Sequence, residues 1–252
     1  MLRKNTFAMV AGEFFGTGAL ALAVLAMSNS NISQMPYFVA MGAGLVLAAL
    51  VVMLANVTGA VFNPALSLGL WTVRKLQNFQ TLAYIVAQFA GAAAAYMLFC
   101  WMVGIPLDKL ENKGLTTMNS KIMVGELLGT LVFSMAIASA LYQNLSLGVK
   151  AFIVGAGLSV GALLASLASG GLLNPAVALS VHQFGLWTYV LGPVLGAVLG
   201  FNLYNWLFVD NEVAASRPAT TTLKTVAVKP AVTARKTTTK KAVATKKKTV
   251  KK

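Results

Sequence analysis

Charge, cysteine and histidine are all scarce in this chain. Only 10% of its 252 residues are charged, against about 25% in an ordinary soluble domain, which argues against a soluble enzyme. A single cysteine, Cys100, allows no intramolecular disulfide and no cysteine-based zinc site. A single histidine, His182, allows no histidine-rich metal centre and no pore built on paired histidines. A membrane-bound enzyme would need a cluster of catalytic groups, and none is visible. No cofactor and no metal are expected.

What the chain has is apolar surface, 58% of its residues. Six runs are long enough to cross a bilayer as helices: residues 7–27, 38–55, 81–103, 122–141, 151–168 and 187–209. Only two charges fall inside them, Glu13 and Glu126. The first run follows Arg3 and Lys4, as in a signal peptide, but it is too long and has no clean cleavage site, so it reads as a span. Glycine and alanine abound, which suits close packing of helices in lipid. Two further apolar segments, about 63–73 and about 174–184, are too short to span. Such stubs read as re-entrant elements, tolerated only where protein or water surrounds the backbone.

The charge is divided unevenly. Residues 1–212 hold eight Lys/Arg and six Asp/Glu, while residues 213–252 hold twelve Lys/Arg and no acid. The first part reads as a nearly neutral, apolar membrane domain, the second as a disordered basic tail that cannot bury a core. Arg3, Lys4, Arg74, Lys75 and Lys150 share one side of the membrane with that tail. Lys109, Lys113 and Lys121 on the other side are offset by Asp108 and Glu111. The positive-inside rule then puts both termini in the cytoplasm of a multi-pass protein of the cell membrane.

The sequence also repeats itself. Glu13, Gly16 and Thr17 return as Glu126, Gly129 and Thr130, 113 residues later. Thr58-Gly59-Ala60-Val61-Phe62-Asn63-Pro64-Ala65-Leu66 returns as Ser169-Gly170-Gly171-Leu172-Leu173-Asn174-Pro175-Ala176-Val177, 111 residues later. Tyr84 and Gly91 return as Tyr189 and Gly196, 105 residues later. The units run over about 5–105 and 120–210, with three spans in each. An odd number of spans inverts the second unit across the membrane, so the two stubs enter from opposite faces.

Asparagine is a strong helix N-cap and proline is favoured in the first turn. Asn63 and Asn174 are therefore expected to cap half-helices starting Pro64-Ala65 and Pro175-Ala176. A helix N-terminus carries about half a positive charge. Two of them meeting at midplane repel cations, while the asparagine amides remain donors to a neutral permeant.

This doubled Asn-Pro-Ala pattern resembles the aquaporin and glycerol-facilitator family, the major intrinsic proteins, over residues 5–209. The resemblance implies an all-α membrane protein with six tilted spans and two re-entrant half-helices, one pore per subunit, and a homotetramer. It implies that Asn63 and Asn174 are the central pore donors. It also implies that Glu13 and Glu126 are buried supports of the re-entrant loops, a role consistent with the need of any intramembrane carboxylate for partners.

The departures from that family pattern bear on selectivity. An arginine normally follows the second Asn-Pro-Ala, and here Val177 stands there. The other three members of the family's outer constriction fall at Ala43, Ala162 and Gly171, without its usual aromatics or histidine. Val61 replaces a histidine common before the first motif. A ring of Ala, Ala, Gly and Val is wide, apolar and uncharged. The expected function is passive passage of water and of small uncharged solutes such as glycerol and urea, with weak discrimination. An apolar ring narrowed by its neighbours would instead dewet and close. The alternatives are a secondary transporter, or a membrane tether whose basic tail binds polyanions. The tail's expected partner is anionic lipid or, on composition alone, nucleic acid. His182 is read as a packing residue inside the second half-helix, Cys100 as a buried small hydrophobe, and Trp71, Trp101, Trp187 and Trp206 as anchors near helix ends.

Overall fold

The computed structural model describes residues 4–29, 36–107 and 117–209. The basic tail and the charged stretch holding Asp108, Lys109, Glu111 and Lys113 lie outside the described residues.

Eight α-helices account for most of the described chain: α1 Lys4–Ser28, α2 Pro36–Thr58, α3 Pro64–Thr72, α4 Asn78–Val103, α5 Ser120–Tyr142, α6 Leu147–Ala165, α7 Pro175–Ser180 and α8 Gly192–Phe208. Six helical segments are long and apolar enough to span a membrane, the last running over Leu186–Phe208. α3 and α7 are the short ones. More than half of each span's most apolar stretch is left unburied by the fold, and large apolar side chains such as Leu45, Trp101, Phe152 and Trp206 stand exposed on the outside. That outer surface is suited to acyl chains rather than water.

The duplicated sequence becomes a duplicated packing scheme. α1 packs on α2 and α4, and α5 packs on α6 and α8 in the same way. The two units meet along α2 and α6, and each half-helix packs on the last span of the opposite unit, α3 on α8 and α7 on α4. At the α2–α6 crossing, a Cβ added to Gly44 would strike the Gly155 carbonyl, and one added to Gly155 would strike the Gly44 carbonyl. Backbones this close need glycine on both sides.

The observed ends differ from the expected ones for local reasons. α6 starts four residues before position 151, at Leu147, and so takes in the half-buried Lys150. The last span opens with a π-helical turn, Leu186–Leu191. Pro193 has no N–H to give the Tyr189 carbonyl and its ring would crowd that carbonyl, so the turn widens just before it. α7 stops at Ser180 rather than running on to Phe184. Its end is a Schellman motif, with His182 N–H donating to the Leu179 carbonyl and Gln183 N–H to the Ala178 carbonyl. α3 ends likewise, with Arg74 in the place of His182.

Candidate functional site

The two half-helices begin as the Asn-Pro-Ala pattern predicts. Asn63 Oδ1 accepts from the N–H groups of Ala65 and Leu66 at 2.9 and 3.4 Å. Asn174 Oδ1 accepts from those of Ala176 and Val177 at 3.0 and 3.4 Å. Each cap then reaches across to the other unit. Asn63 Nδ2 donates to the Leu173 carbonyl at 2.8 Å, and Asn174 Nδ2 donates to the Phe62 carbonyl at 2.9 Å. Head to head, the N-termini of α3 and α7 are thus tied through the residue before each asparagine. One amide hydrogen of each asparagine is used in that tie, and the second remains for another acceptor.

The loops before the caps are held by the two buried glutamates. Glu13 Oε1 accepts from Val61 N–H at 3.1 Å, and its Oε2 accepts from Phe62 N–H at 2.8 Å and from Gln88 Nε2 at 2.7 Å. Glu126 Oε1 accepts from Leu172 N–H at 3.0 Å and from Ser169 Oγ at 2.7 Å, and its Oε2 accepts from Leu173 N–H at 2.7 Å. Both carboxylates are wholly buried. Their bonds compensate an awkward backbone: Ala60, Phe62 and Leu173 hold φ of +55°, +50° and +53°, and Gly171 holds +64°. A left-handed non-glycine residue costs about 1–2 kcal/mol. Leaving a buried N–H unpaired costs about 1–3 kcal/mol, so the carboxylates make the strained path the favourable one.

Around this centre lie two cavities. One, of about 310 Å³, is bordered by Ala43, Ala162, Gly171 and Val177 together with Asn63 and Asn174, and its walls carry no charged side chain. The other, of about 1520 Å³, opens among Arg74, Lys75 and Lys150. We refer to them as the uncharged and the basic vestibule. Among the described residues, Val61 is the side chain common to both. The C-terminal end of α3 faces the basic vestibule and that of α7 the uncharged one, through Arg74 and Val181 respectively. The half-helices therefore enter from opposite ends.

All four residues aligned with the family's outer constriction border one space. Ala162 reaches it although its alignment spans a loop, because the Ala162 carbonyl lies against the α-carbon of Gly171, where a Cβ would come within 2.5 Å. Pro64, Ala65, Pro175 and Ala176 are buried in the first turns of the half-helices. Glu13 and Glu126 border neither cavity. His182 is not in the second half-helix as expected. It stands just beyond it at φ +58°, with its ring 4.5 Å from that of Tyr96. Cys100 is buried in α4. Sequence reasoning missed the supporting polar groups. Gln88 bridges Glu13 to Ser67 of α3, Tyr84 donates to the Thr58 carbonyl at 2.6 Å, and the Tyr189 hydroxyl accepts from Gly170 N–H at 3.2 Å. The repeat itself carried the signal for the tyrosines, and for Thr58 and Ser169, whose hydroxyls accept from Ala60 and Gly171 N–H.

The family model for the major intrinsic proteins matches residues 3–204. The chain belongs to that family. It is 29% identical over 236 residues to aquaporin AqpM of Methanothermobacter marburgensis, covering 81% of this chain and 94% of that relative. The AqpM of Methanothermobacter thermautotrophicus is 30% identical with the same coverage. The aquaglyceroporin of Plasmodium falciparum shares the fold, with a TM-score of 0.65 at 20% identity, over 84% of this chain and 100% of that one. As a member of the family, the chain is a multi-pass membrane channel for water and small solutes and not an enzyme. Neither a transporter nor a tether is favoured.

Proposed function

We propose that this chain is a passive pore for water and for small uncharged solutes, glycerol and urea among them, with a permissive outer mouth. The observation that carries the reading is the reciprocal tie of Asn63 and Asn174 between two vestibules. Each amide keeps one donor for a permeant. The two half-helix N-termini, each with about half a positive charge, disfavour cations at the point where they meet. Ala43, Ala162, Gly171 and Val177 form the outer constriction in this reading, and they present no fixed charge and few donors. Glu13 and Glu126 are structural supports, because both are consumed by backbone and side-chain donors and neither reaches a vestibule.

In the same reading the basic vestibule faces the cytoplasm of a cell-membrane protein, with both termini on that side. The exposed apolar faces accommodate lipid and the contacts of a homotetramer. Residues 213–252 engage anionic lipid headgroups, each lysine contributing about 1 kcal/mol, or nucleic acid through the same charge. Deleting them should abolish sedimentation with anionic liposomes or DNA at low salt; unchanged sedimentation counts against the tail's role.

Stopped-flow light scattering on proteoliposomes tests the pore. Volume changes in water and glycerol gradients should run about tenfold faster than in protein-free vesicles. Equal rates in both gradients would overturn the reading.

A further inference from the structure

The repeat defines, for every residue of the outer constriction, a partner on the basic side. With the offset of 111 that the Gly44–Gly155 crossing obeys, Ala43 pairs with Val154, Ala162 with Val51, Gly171 with Ala60, and Val177 with Leu66. All four partners border the basic vestibule. They make up a second set, related to the first by the repeat and bordering the basic vestibule instead of the uncharged one, and we treat them as a second ring.

At each of the four positions the basic-side residue is the larger. Valine stands for alanine twice, alanine for glycine once, and leucine for valine once, so the second ring holds six more side-chain carbons than the first. Val61 stands where the two vestibules adjoin, being the described residue that borders both. The backbone beneath it cannot yield easily. Its N–H is bound by Glu13, and Ala60 and Phe62 on either side are held in left-handed conformations.

We propose that size selection in this channel is made on the basic side of the asparagines, by Val51, Ala60, Leu66 and Val154 with Val61 above them, and not by the outer constriction. This rests on the pore reading given above. The solutes it admits are those that lose little by facing an aliphatic wall and are narrow enough to clear Val51 and Val154. Glycerol and urea qualify, whereas N,N-dimethylurea is too broad at its branched end. Enlarging the inner ring therefore admits the broad solute, and enlarging the outer one does not.

The experiment measures water, glycerol and N,N-dimethylurea permeability in proteoliposomes of the full chain. The double variant Val51→Ala/Val154→Ala makes the basic-side ring match the outer ring at those positions. Its N,N-dimethylurea-to-glycerol permeability ratio should rise about tenfold, the scale expected for one or two methyl groups in an apolar constriction. Val177→Ala at the outer ring should raise that ratio less than the double variant does. A narrowing variant, Val51→Ile, should lower glycerol relative to water by about fivefold and covers the case in which the double variant does not fold. Val52→Ala, at a residue of α2 that is itself 51% exposed, controls for the substitution itself. If the unaltered channel conducts glycerol but neither ring variant shifts the ratios, or if Val177→Ala shifts them more, the inner filter is wrong while the pore reading stands. If the unaltered channel conducts nothing above protein-free vesicles, the pore reading fails first.

Discussion

Gln88 donates from Nε2 to Glu13 Oε2 at 2.7 Å, and 105 residues on, at the matching place in the second repeat, stands Pro193. The two glutamates thus do the same work, with one more side-chain helper on Glu13. Glu13 draws a donor from α4 besides the hydroxyl of Thr58 at the start of its own loop, whereas Glu126 has Ser169 of its own loop. Both halves keep the two backbone bonds and a hydroxyl from the turn, Thr58 for Glu13 and Ser169 for Glu126, and Gln88 is an extra donor on the first half alone.

That division predicts an order of stability. Gln88→Leu removes one donor and leaves both backbone bonds of Glu13, costing about 1–3 kcal/mol. Glu13→Leu orphans the N–H groups of Val61 and Phe62, at about 1–3 kcal/mol for each buried group, and leaves Gln88 with Ser67 alone. Thermal unfolding in detergent, followed by tryptophan fluorescence, should show the lower midpoint for Glu13→Leu. A lower midpoint for Gln88→Leu would contradict the support role.

The asparagines should tolerate no acid. Asp in place of Asn63 or Asn174 still caps its half-helix, but it loses the donor to the opposite loop and brings a carboxylate to the centre. Solute flux through Asn63→Asp/Asn174→Asp should fall about tenfold or more, because one lost tie to a buried carbonyl already costs about 1–3 kcal/mol. Full flux in the double variant would separate the asparagines from the permeation path.

At the outer ring, Val177→Arg restores a charge among Ala43, Ala162 and Gly171. An arginine adds donors but also bulk to a space whose neighbours are small. Glycerol and urea permeability should drop by about tenfold while water changes by about twofold, since water fits where broader solutes do not. Equal reduction of water and glycerol would show that Val177 does not discriminate between them. In the inner-filter scheme the broad-solute ratio of this variant is set by whichever ring is then the smaller.

Gly171 combines two constraints, so its replacement is informative. Its φ of +64° disfavours any side chain, and a Cβ there would press on the Ala162 carbonyl. Gly171→Ala should destabilise by about 1–3 kcal/mol and reduce flux by shifting the loop that carries Asn174. A variant with wild-type melting and wild-type flux would mean that this loop yields more readily than its geometry indicates.

Much of the candidate site was legible because short-range chemistry specifies it. Asn before Pro-Ala is a helix start wherever it occurs, and two copies at one spacing imply a two-fold arrangement. The ends of α7 and the position of His182 were not legible. Val181 and Phe184 are apolar enough to extend the half-helix, and the Schellman turn through His182 and Gln183 stops it at Ser180. Gln88 was illegible for a different reason. It has no repeat partner and reaches Glu13 across 75 positions of sequence.

From composition, hydropathy and the repeat alone, the chain determined that it crosses the membrane six times and carries two inverted stubs capped by asparagine. These follow from interactions within a span or a turn, where neighbours in sequence are neighbours in space. Only the folded arrangement decided that Leu173 and Phe62 receive the asparagine amides, that Val61 belongs to both vestibules, and that four small residues border one vestibule and their four larger partners the other. Those relationships join helices more than a hundred residues apart, and packing across the α2–α6 seam is what brings them into register.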